Sequence, residues 1–179
     1  MAELNPVKLW LMRLSYLGFA LLILFAHLLP LEINPRPFGG PDALVALTFA
    51  WALRRPQYVP MLLVAFVLLL ADMLLQRPPG LWAGLILLGT EWLKSRDRAL
   101  RENTFFAEWV TVASVLLLAL VTYRAILGLL LVSPGALSLS FMQYGTTMAI
   151  YPLIAGLSYM VFGSAKGKKD DLDQMRHRT

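Results

Sequence analysis

The chain has 179 residues, of which 58% are hydrophobic and 15% charged, and its mean hydropathy is +0.64. A sequence this short and this apolar excludes an ordinary soluble domain, and once membrane spans are assigned it leaves no room for a second folded unit. Cysteine is absent, which excludes disulfides and thiolate metal sites, and the two histidines, His27 and His177, are too far apart in sequence to read as a metal motif.

A bilayer core of about 30 Å takes about 20 helical residues, and six apolar stretches meet or approach that length. The first, about 14–31, follows Lys8 and Arg13 with no small-residue cleavage site after it, so it reads as an uncleaved span rather than a signal peptide. The second, about 38–53, follows the turn-rich segment Asn34-Pro35-Arg36-Pro37-Phe38-Gly39-Gly40-Pro41 and stops at Arg54-Arg55-Pro56. The third, about 58–75, runs into Gln76-Arg77-Pro78-Pro79-Gly80, where two prolines and a glycine forbid helix and predict a tight hairpin. The fourth, about 81–93, closes on the basic run Lys94-Ser95-Arg96-Asp97-Arg98. The fifth, about 105–132, is broken by Ser133-Pro134-Gly135, and the sixth, about 137–162, contains Pro152. Residues 1–165 thus read as one integral membrane domain, followed by a basic and polar cytoplasmic tail at 166–179. The shortness of spans two and four reads as local bilayer thinning with snorkelling by Arg54, Arg55 and Lys94, although paired short segments also mark binding sites in transporters.

The formal charge of +5 is informative through its distribution, because cytoplasmic loops retain Lys and Arg. One side receives Lys8, Arg13, Arg54, Arg55, Lys94, Arg96, Arg98, Arg101, Lys166, Lys168, Lys169, Arg176 and Arg178; the other receives Arg36 and Arg77, and Arg124 falls within span five. That asymmetry predicts an all-α, six-transmembrane-helix bundle in an inner membrane, with both termini cytoplasmic. The basic balance is thereby explained by topology and by anionic lipid, and calls for no nucleic acid.

Ionisable residues inside spans are costly and are functional candidates by default. Asp72, Arg124, His27, Gln143, Tyr144, Thr146 and Thr147 all fall in the outer half of the bilayer. Asp72 and Arg124 either pair across the bundle or reach the outer headgroups separately. Asp42 reads as an acid in the first turn of span two, favoured by the helix dipole, and Glu91 as a rim partner of Lys94 three residues on. Trp10, Trp51, Trp82, Trp92 and Trp109 read as interfacial anchors, and Gly84, Gly89, Gly128, Gly145 and Gly156 as points of close helix approach. No P-loop, HExxH, GxSxG or carboxylate pair beside a histidine occurs, so the chain reads as a non-enzyme with no catalytic residues, cofactor or metal.

Gly40-Pro41-Asp42, the span ending Trp51-Ala52-Leu53-Arg54-Arg55-Pro56, and the stretch Leu69-Leu70-Ala71-Asp72-Met73-Leu74-Leu75-Gln76-Arg77-Pro78-Pro79-Gly80-Leu81-Trp82-Ala83 together resemble the rod shape-determining MreD family. Length, span number and Tyr151-Pro152 in the last span extend the resemblance to most of the chain. It implies a non-enzymatic subunit of the cell-elongation (rod) complex that supports lateral peptidoglycan synthesis. The implied partners are an MreC-like protein, the actin-like MreB, and the RodA and penicillin-binding-protein synthases. It also implies a fold similar to the substrate-binding components of vitamin transporters. Asp72, Pro79 and Gly80 match the family's motif, while Gln76 stands where a small residue, often glycine, is expected. The alternative is a vitamin-like capture component or small transporter, which would enclose a pocket around His27, Asp72, Arg124 and Tyr144. Span one lacks the clear alanine face that such a component presents to its energising partner.

Overall fold

The computed structural model describes residues 6–29, 40–96, 105–132 and 135–176, with side chains described as far as Ser158. Among these residues all regular structure is helical: α1 (Pro6–Leu28), α2 (Ala43–Arg54), a short 3-10 turn (Pro56–Tyr58), α3 (Met61–Leu74), α4 (Leu81–Ser95), α5 (Phe105–Leu129) and α6 (Leu137–Arg176). Residues 30–39, 97–104, 133–134 and 177–179, which include several of the cationic loop positions counted above, lie outside the described residues.

The helices are built around α2. Every residue from Leu44 to Leu53 is buried, as expected of a helix that is apolar on all sides. It packs most extensively against α6 and α4, with α1 and the 3-10 turn completing its surroundings. It is about 18 Å long at 1.5 Å per residue, and its neighbours cover it along its whole length. Trp51, expected at an interface, is a core residue at 1% exposure, its ring centroid 5.7 Å from that of Tyr16. Trp82 is also buried, whereas Trp10 and Trp92 are exposed.

The surrounding helices each turn one stripe inward. On α3 the buried positions are Val64, Val67, Leu68, Ala71 and Asp72, spaced as one helical face. On α1 they are Tyr16, Ala20 and Leu24. The outward faces are apolar as well: Leu14, Leu22 and Phe25 on α1, Leu62, Phe66 and Met73 on α3, Leu118 and Val121 on α5, and Leu153 and Leu157 on α6 are all exposed. Polar side chains, by contrast, are found inside, with Thr48, Asp72 and Thr90 fully buried. Helices α1 and α5 are long and apolar enough to cross a membrane by length and composition, and α2 and α3 are shorter apolar helices.

Helix ends differ from the expected spans in three places. α1 starts at Pro6, so Lys8 and Arg13 are helical. α2 starts only after Asp42. α6 continues to Arg176, through most of the segment read as a tail. Of the span glycines, Gly89 makes the close approach: a Cβ there would lie 2.8 Å from Val115 Cγ1, whereas Gly84, Gly128, Gly145 and Gly156 face open space.

Candidate functional site

The segment carrying the family-like motif is a hairpin whose parts all refer back to Asp72. At the end of α3 the Gln76 N–H donates to Met73 O at 3.4 Å and the Arg77 N–H donates to Asp72 O at 3.0 Å, the two bonds of a Schellman cap. The cap requires Gln76 to sit in the left-handed region, and its φ is 54°. This explains why a small residue is expected there, since glycine adopts that conformation without steric penalty. Pro78 O then accepts the Leu81 N–H at 3.3 Å, and Gly80 has φ 85° and ψ −15°. Proline followed by a glycine of this conformation is the pattern of a type II turn.

Gly80 is also the N-cap of α4 and has no side chain to satisfy the exposed amides of the first turn. Asp72 supplies the missing acceptor from the neighbouring helix. Its Oδ2 accepts the Gly80 N–H at 3.1 Å and the Ala83 N–H at 3.0 Å, placing a carboxylate at the positive end of the α4 dipole. Asp72 Oδ1 and Trp82 Nε1 are buried without a hydrogen-bond partner.

Asp42 organises the adjoining layer. It caps α2 by accepting the Val45 N–H at Oδ1, 3.2 Å away, so it precedes the first turn in which it was expected. Its Oδ2 faces Arg77 Nη1 at 3.4 Å, and its backbone N–H donates to Thr147 Oγ1 on α6 at 2.9 Å. The Arg77 guanidinium lies 5.7 Å from the Trp82 ring centroid, within reach of a cation–π interaction. Arg77, α2, α6 and the hairpin are thus joined at one end of the bundle.

Arg124 does not meet Asp72. It donates from Nη1 to Ser140 Oγ at 2.7 Å and from Nη2 to Gly135 O at 3.1 Å, tying α5 to the start of α6. Tyr144 donates its hydroxyl proton to Ala113 O at 3.2 Å, again linking α6 to α5. Two small cavities occur at this end. One, about 20 Å³, is lined by residues that include Asp42, Trp82, Gln143, Tyr144 and Thr147. The other, about 10 Å³, has His27, Asp42, Arg77 and Trp82 in its wall. Each has space for about one water molecule.

Three further polar links were not anticipated. At the opposite end Glu108 Oε1 accepts the Tyr151 hydroxyl proton at 2.8 Å and faces Arg54 Nη2 at 3.7 Å, joining α5, α6 and α2. Tyr16 donates to Thr48 Oγ1 at 2.9 Å, because the single Thr48 hydroxyl proton goes to Leu44 O at 2.7 Å. Pro152 has no N–H for Met148 O four residues back, and that carbonyl instead accepts the Trp109 Nε1–H at 3.1 Å. Trp109 is therefore a hydrogen-bond donor to a proline-broken helix. The Glu91–Lys94 pair is present at 2.7 Å, and Lys94 Nζ also donates to Val59 O at 2.6 Å.

No protein-family model, curated protein or solved structure matches this chain. The chemistry must therefore be read from the groups themselves. Asp42, Asp72, Arg124, Tyr144, Glu108 and Tyr151 bond to backbone or to one another across helix junctions, and no group of three potential metal ligands occurs among the described residues. Such an arrangement fixes helix register.

Proposed function

We propose that this chain is an integral membrane scaffold of the MreD type, a six-span bundle with both termini cytoplasmic that serves a bacterial cell-elongation complex through helix–helix contacts and without catalysis. The observation that carries this reading is the role of Asp72. The motif on which the resemblance rests is a structural device, a carboxylate closing the next helix across a Pro-Gly turn, and it leaves Asp72 engaged with backbone amides. The apolar outward faces of the helices support the membrane setting, since exposed apolar faces of this kind are unusual in soluble monomers. In lipid, unlike water, such faces associate through van der Waals packing and so suit lateral partner contacts.

The capture alternative requires an enclosed site, and ligand pockets are typically about 300 Å³ or more. The cavities beside His27, Asp42 and Tyr144 are about 10 and 20 Å³, which favours the scaffold reading. The implied partners are an MreC-like protein, MreB, RodA and a penicillin-binding synthase.

Depletion of the protein in its native cell, with cell width scored and the complex recovered by co-purification, tests the proposal. Rounded cells and loss of the MreC-like and synthase partners are expected. Normal width, with a growth defect relieved by one added nutrient, would refute it in favour of capture.

A further inference from the structure

The cationic side chains divide by what they touch. Arg77, Arg54 and Lys94 face Asp42, Glu108 and Glu91, and Arg124 bonds Ser140 and Gly135. Arg13, Arg55 and Arg96 have no carboxylate partner among the described residues. All three lie at the same end of the bundle: Arg13 early in α1, Arg55 on the α2–α3 connection and Arg96 at the C-cap of α4.

These elements converge on the connection itself. Arg13 Nη2 donates to Gln57 O at 3.5 Å, while Lys94 Nζ holds Val59 O from the other side at 2.6 Å. Arg55 is the N-cap of the 3-10 turn between them, and its own carbonyl accepts the Tyr58 N–H at 3.0 Å. The protein leaves Arg13 under-satisfied. Its one hydrogen bond is at the long limit, and its Nε is buried without an acceptor. Exposed tryptophans accompany the outer arginines, with Arg13 5.5 Å from the Trp10 ring centroid and Arg96 4.7 Å from that of Trp92. Tryptophan with arginine is a pairing suited to the headgroup layer, and a planar guanidinium matches two phosphate oxygens at once.

We propose that Arg13 on α1 and Arg55 on the α2–α3 connection bind the phosphate of an anionic phospholipid headgroup, with Arg96 extending the same basic surface. The site rests on the membrane reading above. It accounts for the division of the cations: Arg77, Arg54 and Lys94, which face carboxylates, hold helices together, and Arg13, Arg55 and Arg96, which face none among the described residues, meet the phosphodiester at the membrane surface.

The full chain is reconstituted in nanodiscs of equal phosphatidylcholine and phosphatidylglycerol, and the lipids it retains on release are identified by native mass spectrometry. Phosphatidylglycerol is expected to be enriched, and Arg13→Gln and Arg55→Gln are each expected to reduce the enrichment about fivefold. Arg13→Lys with Arg55→Lys, which keeps the charge, is expected to lose less. Equal retention of the two lipids by the unaltered protein would overturn the proposal whatever the variants do. Loss of bound phosphatidylglycerol on adding excess inorganic phosphate would overturn the lipid assignment in favour of a soluble phosphate. Failure to enter discs of either lipid would refute the membrane reading itself, a result distinct from insertion without preference.

Discussion

Replacing Asp72 by alanine removes the acceptor from two amides of the α4 N-terminus at once. The Ala83 N–H is buried and keeps no alternative partner, while the Gly80 N–H is partly buried at the turn. A buried donor left unsatisfied costs about 1–3 kcal/mol, and hydrogen bonds to a charged acceptor lie toward the upper part of that range. With the Gly80 amide partly rehydrated, the expected loss is about 3 kcal/mol, the Ala83 amide accounting for most of it. For a chain of this size that corresponds to a fall in melting temperature of roughly 6–12 °C. Asp72→Asn keeps an oxygen at the Oδ2 position but loses the charge and places an amide NH2 where Oδ1 is buried without a partner, so about 2 kcal/mol is expected. Thermal unfolding in detergent, followed by helical circular dichroism, compares the three proteins. Equal losses for Asn and Ala, or an Ala variant as stable as the parent, would refute the capping argument, because neither follows if Oδ2 closes α4.

Four other outcomes follow from the same geometry. Asp72→Ala and Arg124→Ala should be additive within about 0.5 kcal/mol, since they share no partner; strong coupling in a double-mutant cycle would refute their separation. Trp109→Phe is expected to cost about 1 kcal/mol in the parent and little in a Pro152→Ala background, where the restored N–H reclaims Met148 O, so equal costs in both would sink the assignment. Gln76→Gly should raise stability by about 1 kcal/mol by relieving the left-handed residue, whereas Gly80→Ala should lower it by about as much, both read by denaturant titration. Gly89→Ala should destabilise the α4–α5 packing, with rescue by Val115→Ala, which removes the atom that the new Cβ would strike.

How far the site was legible depends on which coordinate of each residue the sequence encodes. Assigning spans fixes height along a helix, and at that level Asp42, Arg77, Gln143, Tyr144 and Thr147 were correctly expected at one end, the level at which the structure brings them together. Azimuth around the bundle is not encoded in height. Asp72 and Arg124 were matched by depth, yet Asp72 faces α4 and Arg124 faces α6. The Asp72 cap was hidden for a related reason. N-caps are ordinarily recognised from the residue beside the helix, and here that residue is Gly80, with the acceptor eight positions earlier on another helix. The apolar run of α2 does not by itself announce its burial, because α3 is as apolar and turns Leu62, Phe66 and Met73 outward. Glu108 lies in the first turn of α5, and its bond to Tyr151 spans forty-three positions, a pairing that local spacing does not reveal.

The burial of α2 bears finally on how the chain comes to be built. Twelve residues reach only about 18 Å, short of a hydrocarbon core of about 30 Å, and Asp42 and Arg54 stand at its ends. In a bilayer such a segment has no stable resting state by itself. Its ends become tolerable only when Arg77 and Thr147 meet Asp42, and Glu108 meets Arg54. Those partners are all synthesised later, on the hairpin, α5 and α6. On the membrane reading proposed above, the central helix is therefore expected to be admitted to the bilayer by the helices that follow it, late in translation.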